Sequence, residues 1–144
     1  MKVKIIICRE NVILPKYEHI GDAGMDLINA GEDISLGAFE RALLPTGIKV
    51  AIPEGYELQI RPRSGMALKK GITLLNTPGT IDSSYRGEIG IIVFNSNNKP
   101  VTITSGERIA QAVLSKFEII EWDKVDELDG TTRKDGGFGS TGTH

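Results

Sequence analysis

Short strand-like runs, closed again and again by glycine, proline or asparagine, leave this chain few ways to fold. Such runs fall at 2–7, 41–44, 48–52, 56–60, 72–75, 88–94, 101–103, 108–114 and 117–120. Tyr56, Leu58 and Ile60 alternate with Glu57, Gln59 and Arg61, the pattern of a strand with one buried face. Pro53-Glu54-Gly55, Asn97-Asn98-Lys99-Pro100 and Ser105-Gly106 punctuate the runs as turns. Only 64–70 reads as helical, with Ser64 as its N-cap and Gly71 as its C-terminal stop. Many short strands at this spacing predict an all-β sandwich, jelly roll or barrel with one short helix.

A chain of 144 residues supports one domain with a real core. Its net charge of −2 argues against nucleic-acid binding by bulk electrostatics, while leaving room for a local basic pocket. Ile5-Ile6-Ile7-Cys8 is too short to span a membrane, and no signal-peptide pattern follows the N-terminus. Cys8 is the single cysteine, so no internal disulfide can form and the expected compartment is the cytoplasm. With two histidines and one cysteine, no zinc site is expected.

Five segments carry chemistry-bearing residues. Gly79 to Glu88 gathers a carboxylate (Asp82), a phenol (Tyr85) and a guanidinium (Arg86) after Thr77-Pro78-Gly79-Thr80, which reads as a type II turn at the tip of a β-hairpin. Such a tip offers unpaired backbone groups to a nucleobase edge; the alternative is a turn carboxylate beside an ordinary strand tyrosine. Arg61-Pro62-Arg63-Ser64-Gly65 leads from a strand into the helix. There Arg63 and Ser64 could grip a phosphate while Gly65 lets it approach, or Ser64 merely caps and Arg63 is a surface charge. Asp26, between Met25 and Leu27, is either a strand-edge aspartate or a group that orients water around a metal–phosphate cluster. Gln111, among apolar neighbours, could face a pocket and donate to phosphate. The last fourteen residues, 131–144, read as a flexible glycine-rich tail, yet they hold Arg133 and Phe138, which suit a segment that closes over a ligand.

Taken together, these segments resemble the trimeric dUTPase (deoxyuridine triphosphatase) family in five motifs, in the family's order. The first is matched by Ala23-Gly24-Met25-Asp26-Leu27-Ile28-Asn29-Ala30 and the second by Pro62-Arg63-Ser64-Gly65-Met66-Ala67-Leu68. The third is matched by Gly79-Thr80-Ile81-Asp82-Ser83-Ser84-Tyr85-Arg86-Gly87-Glu88 and the fourth by Gly106-Glu107-Arg108-Ile109-Ala110-Gln111. The fifth is Arg133 followed by Gly136-Gly137-Phe138-Gly139-Ser140-Thr141-Gly142. Ser84 departs from the acidic residue often found there.

The resemblance implies a jelly-roll-like β-barrel over 1–130, a tail over 131–144 that closes a neighbour's active site, and a homotrimer with sites shared between subunits. It implies hydrolysis of dUTP to dUMP and pyrophosphate, which keeps uracil out of DNA and supplies the dTMP precursor. Asp82 would be the catalytic base, taking a proton from water that attacks the α-phosphorus. Arg63, Ser64, Gly65, Gln111, Arg133, Ser140 and Thr141 would hold phosphates. Asn76, Gly79, Thr80 and Ile81 would pair with uracil, Tyr85 would exclude a 2′-hydroxyl, and Phe138, beside Gly139, would stack on the base. Mg²⁺ would ride on the phosphates, with Asp26 touching it through water only. The rival readings are dCTP deaminase, which shares the fold, a regulatory module that binds nucleotide to control a protein partner, and a purely structural jelly roll.

Overall fold

The computed structural model describes residues 1–137. Along the chain run β1 (Lys4–Ile7), β2 (Met25–Ile28), β3 (Ile34–Leu36), β4 (Arg41–Pro45), β5 (Ile48–Ala51) and β6 (Tyr56–Arg61). Then come α1 (Ser64–Lys70), β7 (Ile72–Leu74), β8 (Gly79–Ile81), β9 (Gly90–Asn95), β10 (Val101–Ile103) and β11 (Arg108–Lys116). All pairings are antiparallel. One sheet has the order β2-β11-β6-β8 and another β4-β9-β7, flanked by the ladders β1-β5 and β3-β10. This is the expected all-β, jelly-roll-like class with one short helix, although the ladders do not close into a single hydrogen-bonded barrel among the described residues.

Alternation produces the core. Leu58 and Ile60 of β6 and Ile91 and Val93 of β9 point inward from the two larger sheets. They join Leu27, Leu44, Ile72, Ile103 and Ile109 in one cluster. Two buried asparagines tie the loops. The Asn95 amide donates to the carbonyls of Leu36, Gly37 and Lys99. The Asn29 amide donates to Glu32 and Thr104 while its oxygen accepts from Gly31 N–H. Buried amides left unpaired would cost on the order of 1–3 kcal/mol each, so these asparagines fix loop geometry as well as fill space.

Several expectations are corrected. The 72–81 segment is not a hairpin: β7 pairs with β9 and β8 with β6, so the chain crosses between sheets here. Nor is 77–80 a type II turn. Thr77–Pro78 is cis, and Gly79, extended in β8, lies opposite Ile60 rather than in the left-handed region. Ser64 is not the N-cap but the first residue of α1; Arg63 is the cap and makes no side-chain capping bond. Gly71 ends the helix as expected, with φ 62° and its N–H bonded to Ala67. The run 117–120 forms no strand in this chain, and Ile119 and Ile120 are exposed. Conversely β2, β3 and β8 were not expected as strands.

Candidate active site

One end of the four-stranded sheet concentrates charge. Gln111 of β11 lies between Asp26 of β2 and Arg61 of β6, because both neighbours pair with it. Arg63, just past β6, bonds Asp26 Oδ1 through Nε at 2.7 Å and donates from Nη1 to the Arg108 carbonyl at 3.0 Å. Arg108 takes the other Asp26 oxygen at 3.0 Å and reaches Glu18 at 3.1 Å. The Gln111 amide donates to the Pro62 carbonyl at 2.9 Å. Asp26 and Arg63 are half-buried, so their pairing sets side-chain geometry more firmly than a surface ion pair would. A cleft of about 300 Å³ opens here, lined by Glu18, Asp22, Gly24, Asp26, Arg61 and Gln111. Arg63 and Arg108 are spoken for by Asp26 and Glu18, whereas the Arg61 guanidinium bonds the Gln59 amide oxygen and no carboxylate among the described residues, which leaves its charge for an anion. Arg108 is the member that sequence reasoning missed. Its place after the 104–107 turn was visible, but its two carboxylate partners are 82 and 90 residues away.

Gly24 makes room for this arrangement. A Cβ there would lie 2.4 Å from Gln111 Oε1. Gly24→Ala is therefore expected to push the Gln111 amide out of the cradle while leaving the melting temperature within a few degrees, since a flexible side chain can yield. Steady-state kinetics on the nucleotide substrate should show KM rising about tenfold; an unchanged KM would remove Gln111 from the cradle.

The second arm follows β8. Thr80 and Asn76 are exposed, Gly79 is buried and Ile81 half-buried. Because β8 is the last strand of its sheet, its outer backbone edge is unpaired among the described residues. Asp82 and Tyr85 come next, both exposed. The Asp82 carbonyl accepts from Tyr85 N–H at 3.1 Å, and Tyr85 Oη donates to the Glu88 carbonyl at 3.0 Å.

The two arms do not meet within one chain. Gln111 lies opposite Arg61, whereas Ile81 lies opposite Leu58, which puts Asp82 at the level of Glu57. At about 3.3 Å per residue and 4.8 Å per strand, Asp82 stands about 16 Å from Gln111 across the sheet. Among the described residues, 131–137 do not bridge them either. Arg133 Nε donates to the Gly136 carbonyl at 2.9 Å, and Lys134 N–H to Thr131, so the bonds of 131–137 are internal. Phe138, Gly139, Ser140 and Thr141 lie outside the described residues. A larger cavity of about 630 Å³ beside Arg9 and Gly106 holds none of the expected site residues, and its polar side chains Asn29 and Asp33 are bonded to backbone.

Among the described residues, no group of three His, Cys, Asp or Glu side chains is placed to hold a metal. Each Asp26 oxygen is taken by one arginine, and each keeps a lone pair for water. These donors fit an ion carried by phosphates and reached through water, not one caged by protein.

A β fold with a guanidinium–glutamine cradle and a separate carboxylate–tyrosine loop on an open strand edge has the equipment of a nucleotide-phosphate-binding protein. The chain matches the dUTPase family over residues 10–142 and belongs to it. It is 59% identical over 143 residues to the deoxyuridine 5'-triphosphate nucleotidohydrolase of Fusobacterium nucleatum, covering 98% of each chain. It is also 59% identical to the protein of that name from Finegoldia magna, covering 99% of each. Among solved structures, a variant of the Staphylococcus bacteriophage 80alpha dUTPase with dUpNHpp superposes with a TM-score of 0.88 at 28% identity, covering 99% of each chain. A dUTPase variant from phage phi11, in which a structural Mg(II) ion is coordinated, superposes with a TM-score of 0.81 at 26% identity, covering 90% of this chain and all of that one.

Proposed function

We propose that this chain hydrolyses dUTP to dUMP and pyrophosphate at sites assembled between copies of itself. The observation that carries the reading is family membership over nearly the whole chain, with Asp82 and Tyr85 set directly after the open edge of β8. Uracil pairs with Asn76 and with the backbone of Gly79, Thr80 and Ile81 on that edge. Cytosine reverses donor and acceptor there and would leave buried groups unpaired. Tyr85 lies under the sugar and leaves no room for a 2′-hydroxyl. Asp82 accepts a proton from a water whose oxygen bonds to the α-phosphorus as the bond to the bridging oxygen breaks, and pyrophosphate departs.

The phosphates lie in the cradle of Arg63, Ser64, Gly65 and Gln111, with Asp26 holding Arg63 and Arg108 in place. Asp26 would reach, through water, a Mg²⁺ ion brought in on the triphosphate, and the ion would supply neutralisation of phosphate charge. The 16 Å gap supports a shared site: the base of one copy serves the phosphates cradled by another. The exposed apolar side chains Leu43, Leu75, Ile119, Ile120 and Trp122 support burial between copies, and the family resemblance supports a homotrimer as the assembly. The internal bonding of 131–137 supports a division into a body over 1–130 and a tail over 131–144, with Arg133, Phe138, Gly139, Ser140 and Thr141 closing the site. Among the described residues, no helix is long and apolar enough to cross a membrane. The cytoplasm, where deoxynucleotides are made, is the compartment this chemistry suits.

Pyrophosphate release measured on dUTP beside UTP, dCTP and dTTP, with Mg²⁺, tests the reading. Fast release from dUTP alone, with dUMP as product, supports it. Silence on dUTP overturns it; ammonia from dCTP would then favour the deaminase, and no reaction on any of them the regulatory module.

A further inference from the structure

The loop that carries Asp82 and Tyr85 braces itself. Tyr85 N–H bonds the Asp82 carbonyl, and Arg86 Nη1 donates to the carbonyls of Ser83 and Tyr85 at 2.6 and 2.8 Å. The Tyr85 hydroxyl donates to the Glu88 carbonyl, and the ring lies over Gly87, where a Cβ would come within 2.3 Å of Tyr85 Oη. Every side-chain hydrogen bond that leaves residues 82–88, among the described residues, leaves through the Glu88 carboxylate. Its Oε1 accepts from Arg9 Nε at 2.6 Å and from Gly47 N–H at 2.9 Å, and its Oε2 accepts from Arg9 Nη2 at 3.0 Å. Arg9 is itself seated, because the preceding Cys8 N–H bonds the Gly47 carbonyl at 2.8 Å. Just past Glu88, the buried Thr46 hydroxyl holds the Ile89 carbonyl at 2.7 Å. The end of β1, the turn between β4 and β5 and the end of the Asp82 loop are thus one knot.

We propose that Arg9 and Glu88 are positioning residues for substrate specificity: their bidentate pair fixes the peptide to which the Tyr85 hydroxyl is tied, and so fixes the ring that excludes the 2′-hydroxyl. The inference rests on the sugar reading of Tyr85 given above. A bidentate guanidinium–carboxylate pair suits this task because two parallel bonds set orientation as well as distance. Arg9 holds the Glu88 carboxyl below the ordinary carboxylate range, despite some desolvation and with help from Gly47 N–H, so the pair persists through the neutral range. Freed of it, the loop keeps its internal bonds and can shift as a unit, carrying the ring from the sugar.

The test is the ratio of kcat/KM for dUTP to that for UTP, measured on full-length wild type, Arg9→Ala, Arg9→Lys, Glu88→Gln and Tyr85→Ala. A smaller folded fraction scales both substrates alike and leaves the ratio untouched, so a merely structural role would not move it. Arg9→Ala and Glu88→Gln are expected to lower the ratio about tenfold, with Arg9→Lys between them and wild type. Tyr85→Ala should lower it at least as far. A wild-type ratio in Arg9→Ala and Glu88→Gln beside a lowered one in Tyr85→Ala overturns the proposal alone. A wild-type ratio in Tyr85→Ala overturns the sugar reading, and the proposal with it.

Discussion

Asp82→Asn is expected to lower kcat for dUTP by about a thousandfold or more while the dissociation constant for a non-hydrolysable dUTP analogue stays within a few-fold of wild type. The amide is the same size and shape as the carboxylate but cannot accept the proton of the attacking water. A positioned general base contributes roughly 10²–10⁴ to a rate, which sets the scale. The fold should not suffer. Asp82 is exposed, and its structural link is the backbone carbonyl that accepts from Tyr85 N–H, which the substitution keeps. Single-turnover kinetics beside calorimetric binding separate the two effects. Near-normal turnover would mean that another group takes the proton.

Removal of the tail gives the second large effect. A chain ending at residue 130 should fold and assemble as the full chain does, since 131–137 bonds within itself and little stability is lost with it. Its kcat/KM for dUTP should nonetheless fall about a hundredfold. The missing arginine, phenylalanine and hydroxyls would no longer close the site, exclude water and hold the outer phosphates in line. Full activity in the truncated chain would show that the site works open.

Much of this was legible in the sequence where structure is local. The alternation of 56–60 and the lone helix before Gly71 depend on neighbours in the chain, and both are as expected. The misses share a cause: they depend on partners far along the chain. β2 is four residues long and reads as a motif; it is a strand because Gln111 and Ala112 pair with Asp26 and Met25. β8 followed a turn signal that suggested a hairpin, and it pairs instead with β6, whose edge was open. The run 117–120 has strand character but meets no open edge in this chain. The site shows the same division. Asp26, Arg63 and Gln111 were singled out from their residue types, and the structure brings them together. That the Asp26 carboxylate is held by two arginines, one of them Arg108, could not be read from spacing. Ser64 had strong N-cap chemistry, but the turn of the chain after Pro62 put Arg63 at that position.

The central claim is that one copy's Asp82 serves phosphates held by another copy. Complementation between two inactive variants tests it most directly: Asp82→Asn mixed with Arg63→Ala, the two dissociated and reassembled together in equal amounts. If base and cradle come from different copies, random mixing leaves roughly a quarter of the sites with both wild-type groups, so about a quarter of wild-type dUTP turnover should return. If both groups of a site come from one chain, every site carries a lesion, and the mixture stays as inactive as its parts.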